Sequence, residues 1–273
     1  MTPVNVWEKH ARRDSNSCLD DWESLESKVR PMCGRYALSR GADDLALEFQ
    51  ASEITSTFLP ADWNIAPTKE IYFIASDDAS GTKRKVNTAL WGLIPSWSKD
   101  AKGVANTINA RVETVSEKPS FRAAFRSRRC LIPADGYYEW ATAIGPYRPK
   151  QPFYISNVDK SLLAMAGIFE EWINPRDGKR IVSASILTRE SVGVISTIHH
   201  RMPVMLPRER WSRWLSSTSV SDQDVPAYLA LLETENPAAG LTAHPVSNAV
   251  NSAGNSGPEL AREVELGEPE TLF

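Results

Sequence analysis

CLIPADGYYEW, residues 130–140, holds two short apolar runs broken by an Asp-Gly pair. Bulky apolar and aromatic residues favour extended backbone, and Asp135-Gly136 carries the chemistry of a tight turn. The stretch therefore predicts two strands meeting at residues 135 and 136. Working outward, strand-like runs occupy 71–75 and 86–94 before it and 153–155, 162–169 and 181–187 after it, with turns containing Asp159 and Asp177-Gly178. A helix is predicted at 43–49. A second follows Pro119, where SFRAAFRS places Phe121 and Phe125 on one face and Arg122 and Arg126 on the next. Two more are predicted at 208–215 and 225–233, ahead of a last strand-like run, HPVSNAV. No βαβ rhythm links these elements, which predicts an α+β fold: a single domain on an antiparallel, barrel-like sheet with peripheral helices.

The ends of the chain differ from this body. Residues 1–31 have no apolar period and are expected to be either a poorly ordered extension or sequence upstream of the true start. Residues 32–263 are expected to form the domain, and 264–273 an acidic tail. A composition of 42% apolar and 24% charged residues suits a globular protein. No apolar run of about 18 residues could span a bilayer, and the polar N-terminus resembles no secretory or transit signal; an intracellular, cytoplasmic protein is expected. Three widely spaced cysteines (Cys18, Cys33, Cys130) and four histidines without ligand spacing point to neither a disulfide framework nor a zinc site, so no metal is expected, and the sequence implies no cofactor.

The formal net charge is -3, but it is unevenly distributed. Residues 1–31 carry five basic and six acidic side chains and residues 221–273 one basic and nine acidic, leaving the middle segment at +6. Within that segment Lys99, Lys102, Arg111, Lys118, Arg122, Arg126, Arg128 and Arg129 stand against only Asp100, Glu113 and Glu117. Such an excess suits either a solvated helix face or a phosphate backbone.

Met32-Cys33 is the sharpest chemical feature. Loss of a start methionine before a small residue would leave Cys33 with a free α-amine, whose pKa of roughly 7.7–8.0 keeps a useful fraction unprotonated at neutral pH. Amine and thiol on adjacent carbons condense with an aldehyde into a five-membered thiazolidine. With the amine held in a peptide bond this cannot happen, and a mid-chain cysteine ordinarily serves as a small buried hydrophobe.

MCGRYAL (32–38), WNIAPT (63–68), WGLIPSW (91–97), NARVETVSEKPSFRAAFRSRRCLIPADGYYEW (109–140), AGIFEEW (166–172), HHRMPVML (199–206) and HPVSNAVN (244–251) together resemble the SRAP family, the SOS response-associated peptidase family of abasic-site-binding proteins. The motifs occur in the family's order across nearly all of residues 32–263. The resemblance implies the SRAP fold and covalent capture of abasic sites in single-stranded DNA as a thiazolidine crosslink in the DNA damage response. It also implies a catalytic set: Cys33 as the nucleophile, Asn109 to hold the opened sugar, Glu139 to move protons, and His199 to assist ring opening and reversal, with His200 as a rival for that role. Arg111, Arg122, Arg126, Arg128 and Arg129, with Trp91, Trp97 and Pro67, are expected to contact DNA through phosphates, base stacking and an apolar wedge. The expected partner is single-stranded DNA containing abasic sites, bound by a monomer, with no membrane association.

Two other functions fit parts of the same sequence. Cys33, His199 and Asn109 can be cast as a Cys-His-Asn peptidase, acting once in cis to remove the residues before Cys33 or acting on other proteins. A non-catalytic reader of single-stranded DNA would need neither the thiol nor the amine.

Overall fold

The structure is a computed structural model in which residues 34–142 and 145–266 are described. Cys33, the extension 1–31 and residues 267–273 of the tail lie outside the described residues. In chain order the strands are β1 (Tyr36–Leu38), β2 (Ala51–Ile54), β3 (Asp62–Ile65), β4 (Glu70–Ser76), β5 (Arg84–Trp91), β6 (Asn109–Arg111), β7 (Arg129–Ala134), β8 (Gly136–Trp140), β9 (Pro152–Asn157), β10 (Leu163–Ile173), β11 (Arg180–Glu190), β12 (Arg201–Pro203) and β13 (Leu241–Pro245). Four short helices accompany them: α1 (Ala42–Phe49), α2 (Arg122–Ser127), α3 (Trp211–Leu215) and α4 (Val225–Ala230).

Strands β11, β10, β7, β4 and β5 pair antiparallel in that order, and β5 then pairs parallel with β11 through Ser183↔Leu90 and Ala184↔Trp91. Four antiparallel steps bring the fifth strand round in the direction of the first, so the last pairing must be parallel and the ring closes as a barrel. Closure removes the open edges that invite aggregation. Beyond the ring, β6 lies parallel to β11 on the β5 side, and β12 runs antiparallel to it on the β10 side. A second, fully antiparallel sheet has the order β13-β9-β8-β1-β3. The α+β fold on a barrel-like sheet is thus the one expected.

Local chemistry explains the elements. In α1, Asp43 and Asp44 sit in the first turn, where they complement the helix dipole; Ala42, Leu45 and Phe49 form the buried stripe; and Gln50 ends the helix in the left-handed conformation. Phe49 stacks on Trp211 with centroids 4.8 Å apart, worth about 0.5–1.5 kcal/mol beyond area burial. At α2, the N-cap Phe121 and Phe125 are buried while Arg122 is exposed.

The structure extends one sequence reading and shifts another. Residues 135 and 136 join two strands as expected, and the strands go to different sheets: β7 belongs to the barrel, whereas β8 pairs with β1 and β9 in the second sheet. The Asp-Gly pair is where the chain switches sheets. The Asp135 carboxylate accepts from the Ser39 backbone N–H, and a Cβ on residue 136 would stand 2.4 Å from the Tyr154 ring, so only glycine passes there. The last strand is Leu241–Pro245, upstream of most of HPVSNAV. Ser247 caps a 3-10 turn over Asn248–Asn251 and ends the extended backbone.

Candidate active site

Strand β8 alternates Tyr138, packed with Tyr154 in a small second core, against Glu139 on the opposite side. Glu139 is only 3% exposed, an uncommon state for a carboxyl and one that requires partners. One faces it directly: Nδ1 of His199 lies 3.4 Å from Oε1 of Glu139. The Thr142 N–H donates to the Ile198 carbonyl at 2.9 Å, and the Ser191 hydroxyl donates to the His199 carbonyl, so the backbone on both sides of the imidazole is fixed. Of the two adjacent histidines, His199 turns inward and is 9% exposed, while His200 stays exposed with its ring 4.4 Å from that of His199.

Nδ1 of His199 also accepts from the backbone N–H of Arg201 at 3.2 Å. Nδ1 lies as well 3.4 Å from the Arg201 carbonyl; with its proton on Nδ1 the ring donates toward that carbonyl or toward Glu139, and with its proton on Nε2 it accepts from the Arg201 N–H. Burial is the largest influence and, together with the neighbouring His200 and the Arg201 guanidinium, moves the His199 pKa below its ordinary value, partly offset by the hydrogen bond the protonated ring makes to the Arg201 carbonyl; the neutral ring is favoured. Such a pair can accept a proton from an incoming group and return it.

Asn109 begins β6, which β11 holds in parallel register through Ile186↔Asn109 and Thr188↔Arg111. Ala110 is buried and Arg111 exposed, which leaves Asn109 and Arg111 on the side opposite Ala110. This segment is fastened to the histidine segment by two residues to which no role was attached in the sequence, although both lie inside the quoted motifs. The Arg201 guanidinium donates to both carboxylate oxygens of Glu113, at 2.6 and 2.9 Å, and to the Thr188 carbonyl at 2.6 Å. Those hydrogen bonds hold the Glu113 carboxyl below the usual carboxylate range, against the opposing effect of partial burial.

Strand β1 leads back along the chain toward residue 33. Its pairs Tyr36↔Tyr137 and Ala37↔Gly136, and the Tyr138 N–H donating to the Arg35 carbonyl at 2.9 Å, run β1 backwards along β8 toward Glu139. Gly34, buried, is the first described residue on that path, and Cys33 is its covalent neighbour outside the described residues. Asn109, Glu139 and His199 are therefore carried by segments linked through Glu113–Arg201 and Glu139–His199, beside the strand that leads to residue 33.

The proposed DNA contacts separate into two groups. Trp91 and Arg129 are corrected. Trp91 is fully buried, its indole N–H donates to the Ile108 carbonyl at 3.1 Å, and its ring meets Tyr36 edge-on at 5.1 Å, so it cannot stack a base. Arg129 is 2% exposed and its guanidinium is spent on the carbonyls of Phe125, Trp214, Ser216 and Thr218. Arg126 pairs with Asp222, and Arg128 with Glu170 at 2.6 Å. By contrast Arg111, Arg122 and Lys118 are exposed, and Trp97 is 64% exposed with its indole N–H directed at the Pro119 carbonyl, 3.4 Å away. Pro67 is half-buried in the β3–β4 turn, where the Thr68 N–H donates to the Trp91 carbonyl. Among the described residues no group of three or more His, Cys, Asp or Glu side chains could hold a metal ion, and no helix is long and apolar enough to cross a membrane.

The family described as SOS response associated peptidase (SRAP) matches residues 32–253. The chain belongs to the SRAP family. A relative from Bacillus subtilis (strain 168), named abasic site processing protein YoqW, is 38% identical over 234 residues, covering 84% of this chain and 98% of YoqW. The protein named abasic site processing protein HMCES from Rattus norvegicus is 37% identical over 218 residues, covering 69% of this chain and 60% of HMCES. Among solved structures, a protein from Bacteroides thetaiotaomicron superimposes with a TM-score of 0.71 at 26% identity, covering 85% of this chain and all of the other. Membership in SRAP thus agrees with the closed barrel and its companion sheet.

Proposed function

We propose that this SRAP protein processes abasic sites in DNA, and that it does so in single strands by covalent capture through Cys33. The opened deoxyribose presents an aldehyde at C1′. The Cys33 α-amine attacks that carbon, water leaves as the imine forms, and the Cys33 thiol adds to the imine carbon as its proton passes to nitrogen. The product is a thiazolidine, formed with net loss of one water. Protecting the aldehyde in this way also withholds it from the elimination that breaks the strand. Lyase-type elimination from the imine is the competing outcome that ring closure suppresses.

The observation that carries the reading is the buried Glu139–His199 pair, 3.4 Å apart, with Glu139 on the strand beside the one that runs to residue 33. The pair moves protons between the amine, the departing water and the sugar ring oxygen. Asn109 holds the opened sugar through its amide, and Arg111 takes an adjacent phosphate. Trp97, Lys118 and Arg122 offer a flat ring and two cations to the flanking strand. Since the amine must be free, residues 1–32 are absent from the active form, either because synthesis starts at Met32 or because the Met32–Cys33 bond is cut. Residues 32–263 are the working domain.

The test is a denaturing gel shift with protein beginning at Cys33 and a single-stranded oligonucleotide bearing one abasic site. A stable crosslink is expected, absent for Cys33→Ala and for an oligonucleotide carrying a tetrahydrofuran in place of the sugar aldehyde. A peptidase acting on other proteins would need the thiol alone, so retained proteolysis with a blocked α-amine, and no crosslink, would favour it instead.

A further inference from the structure

Asn64, in β3, is fully buried and uses both ends of its amide. Its Nδ2 donates to the carbonyls of Ser252 and Asn255, each at 2.8 Å, with the Val250 carbonyl at 3.3 Å; its Oδ1 accepts from Nη1 of Arg35 at 2.9 Å. The same Arg35 nitrogen reaches the Val250 carbonyl at 3.0 Å. The loop gathered in this way, 248–256, is held at two further points. The Trp140 indole N–H donates to Oδ1 of Asn251 at 2.8 Å, and the Trp63 N–H to the Ser256 carbonyl at 3.3 Å. One loop therefore bears on Arg35, two residues after Cys33, and on Trp140, the residue after Glu139.

We infer that Asn64 is a positioning residue, which sets the amino-terminal nucleophile against the Glu139–His199 pair by locking Arg35 to the loop that also grips Trp140. This rests on the capture reading above. The chemistry explains the residue type: only a carboxamide offers two donors to carbonyls and one acceptor to a guanidinium from a single short side chain. A carboxylate of the same shape keeps the Arg35 contact but turns oxygen against three carbonyl oxygens. The backbone pairing of β1 with β8 fixes Arg35 along the strand, and the Asn64 contacts fix it across the strand. That second restraint bears on the approach of the amine and thiol of Cys33, which is two residues before Arg35 in the chain.

The experiment uses protein beginning at Cys33, with single-turnover crosslinking measured over a range of concentrations of the abasic-site oligonucleotide. Asn64→Asp is expected to lower the saturating rate at least about tenfold, since small misplacement of reacting groups costs up to ~10²-fold. The half-saturating concentration should move by less than about twofold. Asn251→Ala, on the surface and free of core packing, should lower the saturating rate about threefold in the same pattern, and it decides the matter if Asn64→Asp does not fold. Thiazolidine formation with free glyceraldehyde, which needs only the intrinsic amine and thiol, should be unchanged in both variants. Full saturating rates in the variants, or a loss confined to half-saturation, overturn the inference and leave the capture reading standing. Failure of the unmodified protein to crosslink at all overturns the capture reading, and this inference with it.

Discussion

Arg201 grips both carboxylate oxygens of Glu113, at 2.6 and 2.9 Å, while its own backbone N–H donates to Nδ1 of His199. The pair ties the segment bearing Asn109 to the segment bearing His199. Glu113→Gln removes the charge that neutralises Arg201, whose side chain is 9% exposed. A fully buried pair broken in this way loses ~3–5 kcal/mol; with the Glu113 side chain half in solvent, about 1–2 kcal/mol is expected, read as a shifted urea midpoint. Crosslinking should slow as well, because the tie between the Asn109 segment and the His199 segment is loosened.

On the proposed mechanism Glu139 and His199 act on one proton, and their variants should behave as a unit. Glu139→Gln and His199→Gln are each expected to lower the saturating crosslinking rate by roughly 10²–10⁴-fold, the usual worth of a positioned acid or base. The double variant should be barely slower than either single one, because the second substitution removes a partner already disabled. Single-turnover rates of all three proteins test this, and multiplicative losses would show two independent groups.

Acid should weaken the fold through His199 before it does so through Glu113. The His199 pKa is lowered in the folded protein, so just below the ordinary histidine value of about 6.5 the unfolded chain binds a proton that the folded chain refuses. Its contribution to stability is therefore complete above that value and is lost as pH falls from it toward the folded-state pKa. Glu113, also lowered, contributes in a second window: its share is present above the ordinary glutamate value of about 4.3 and is lost as pH falls through the folded pKa. Urea midpoints measured from pH 8 to pH 3 should fall in two stages, and His199→Gln should abolish the first.

Trp97 and Arg129 should give opposite phenotypes. Trp97→Ala is expected to cost about 1–3 kcal/mol of single-stranded DNA affinity, the worth of one stacked base, with the melting temperature unchanged. Arg129→Ala strips the donors from four carbonyls and should destabilise by about 3 kcal/mol or more. Fluorescence anisotropy and thermal melting separate the two.

That contrast shows what was legible in the sequence. Local patterns placed α1, β4, β5, β10 and β11, because each rests on spacing or on β-branched runs that act over a few residues. The 128–129 pair could not be divided by inspection: Arg128 and Arg129 are adjacent and alike, and only the start of β7 turns the second inward. Trp91 posed the same difficulty, since the last residue of a strand and the first of an exposed loop look the same in a Trp-Gly dipeptide. The Asp135-Gly136 turn was visible but not its meaning, because a sheet switch is defined by distant partners, β10 and β4 on one side and β1 and β9 on the other. In the site, chemically conspicuous residues stood out. Glu113, Arg201 and Asn64 did not, because their importance lies in contacts across 88 and 29 or more residues of sequence.

The central claim, that Cys33 captures the lesion with both its amine and its thiol, is tested most directly by intact mass spectrometry of protein purified without an N-terminal tag, before and after incubation with a single-stranded oligonucleotide bearing one abasic site. The account predicts a chain beginning at Cys33 and an adduct whose mass is that of protein plus one oligonucleotide less one water, unchanged by borohydride because a closed thiazolidine has no imine to reduce. A chain beginning at Cys33 that forms no adduct, or an equal adduct from Cys33→Ala, would contradict it.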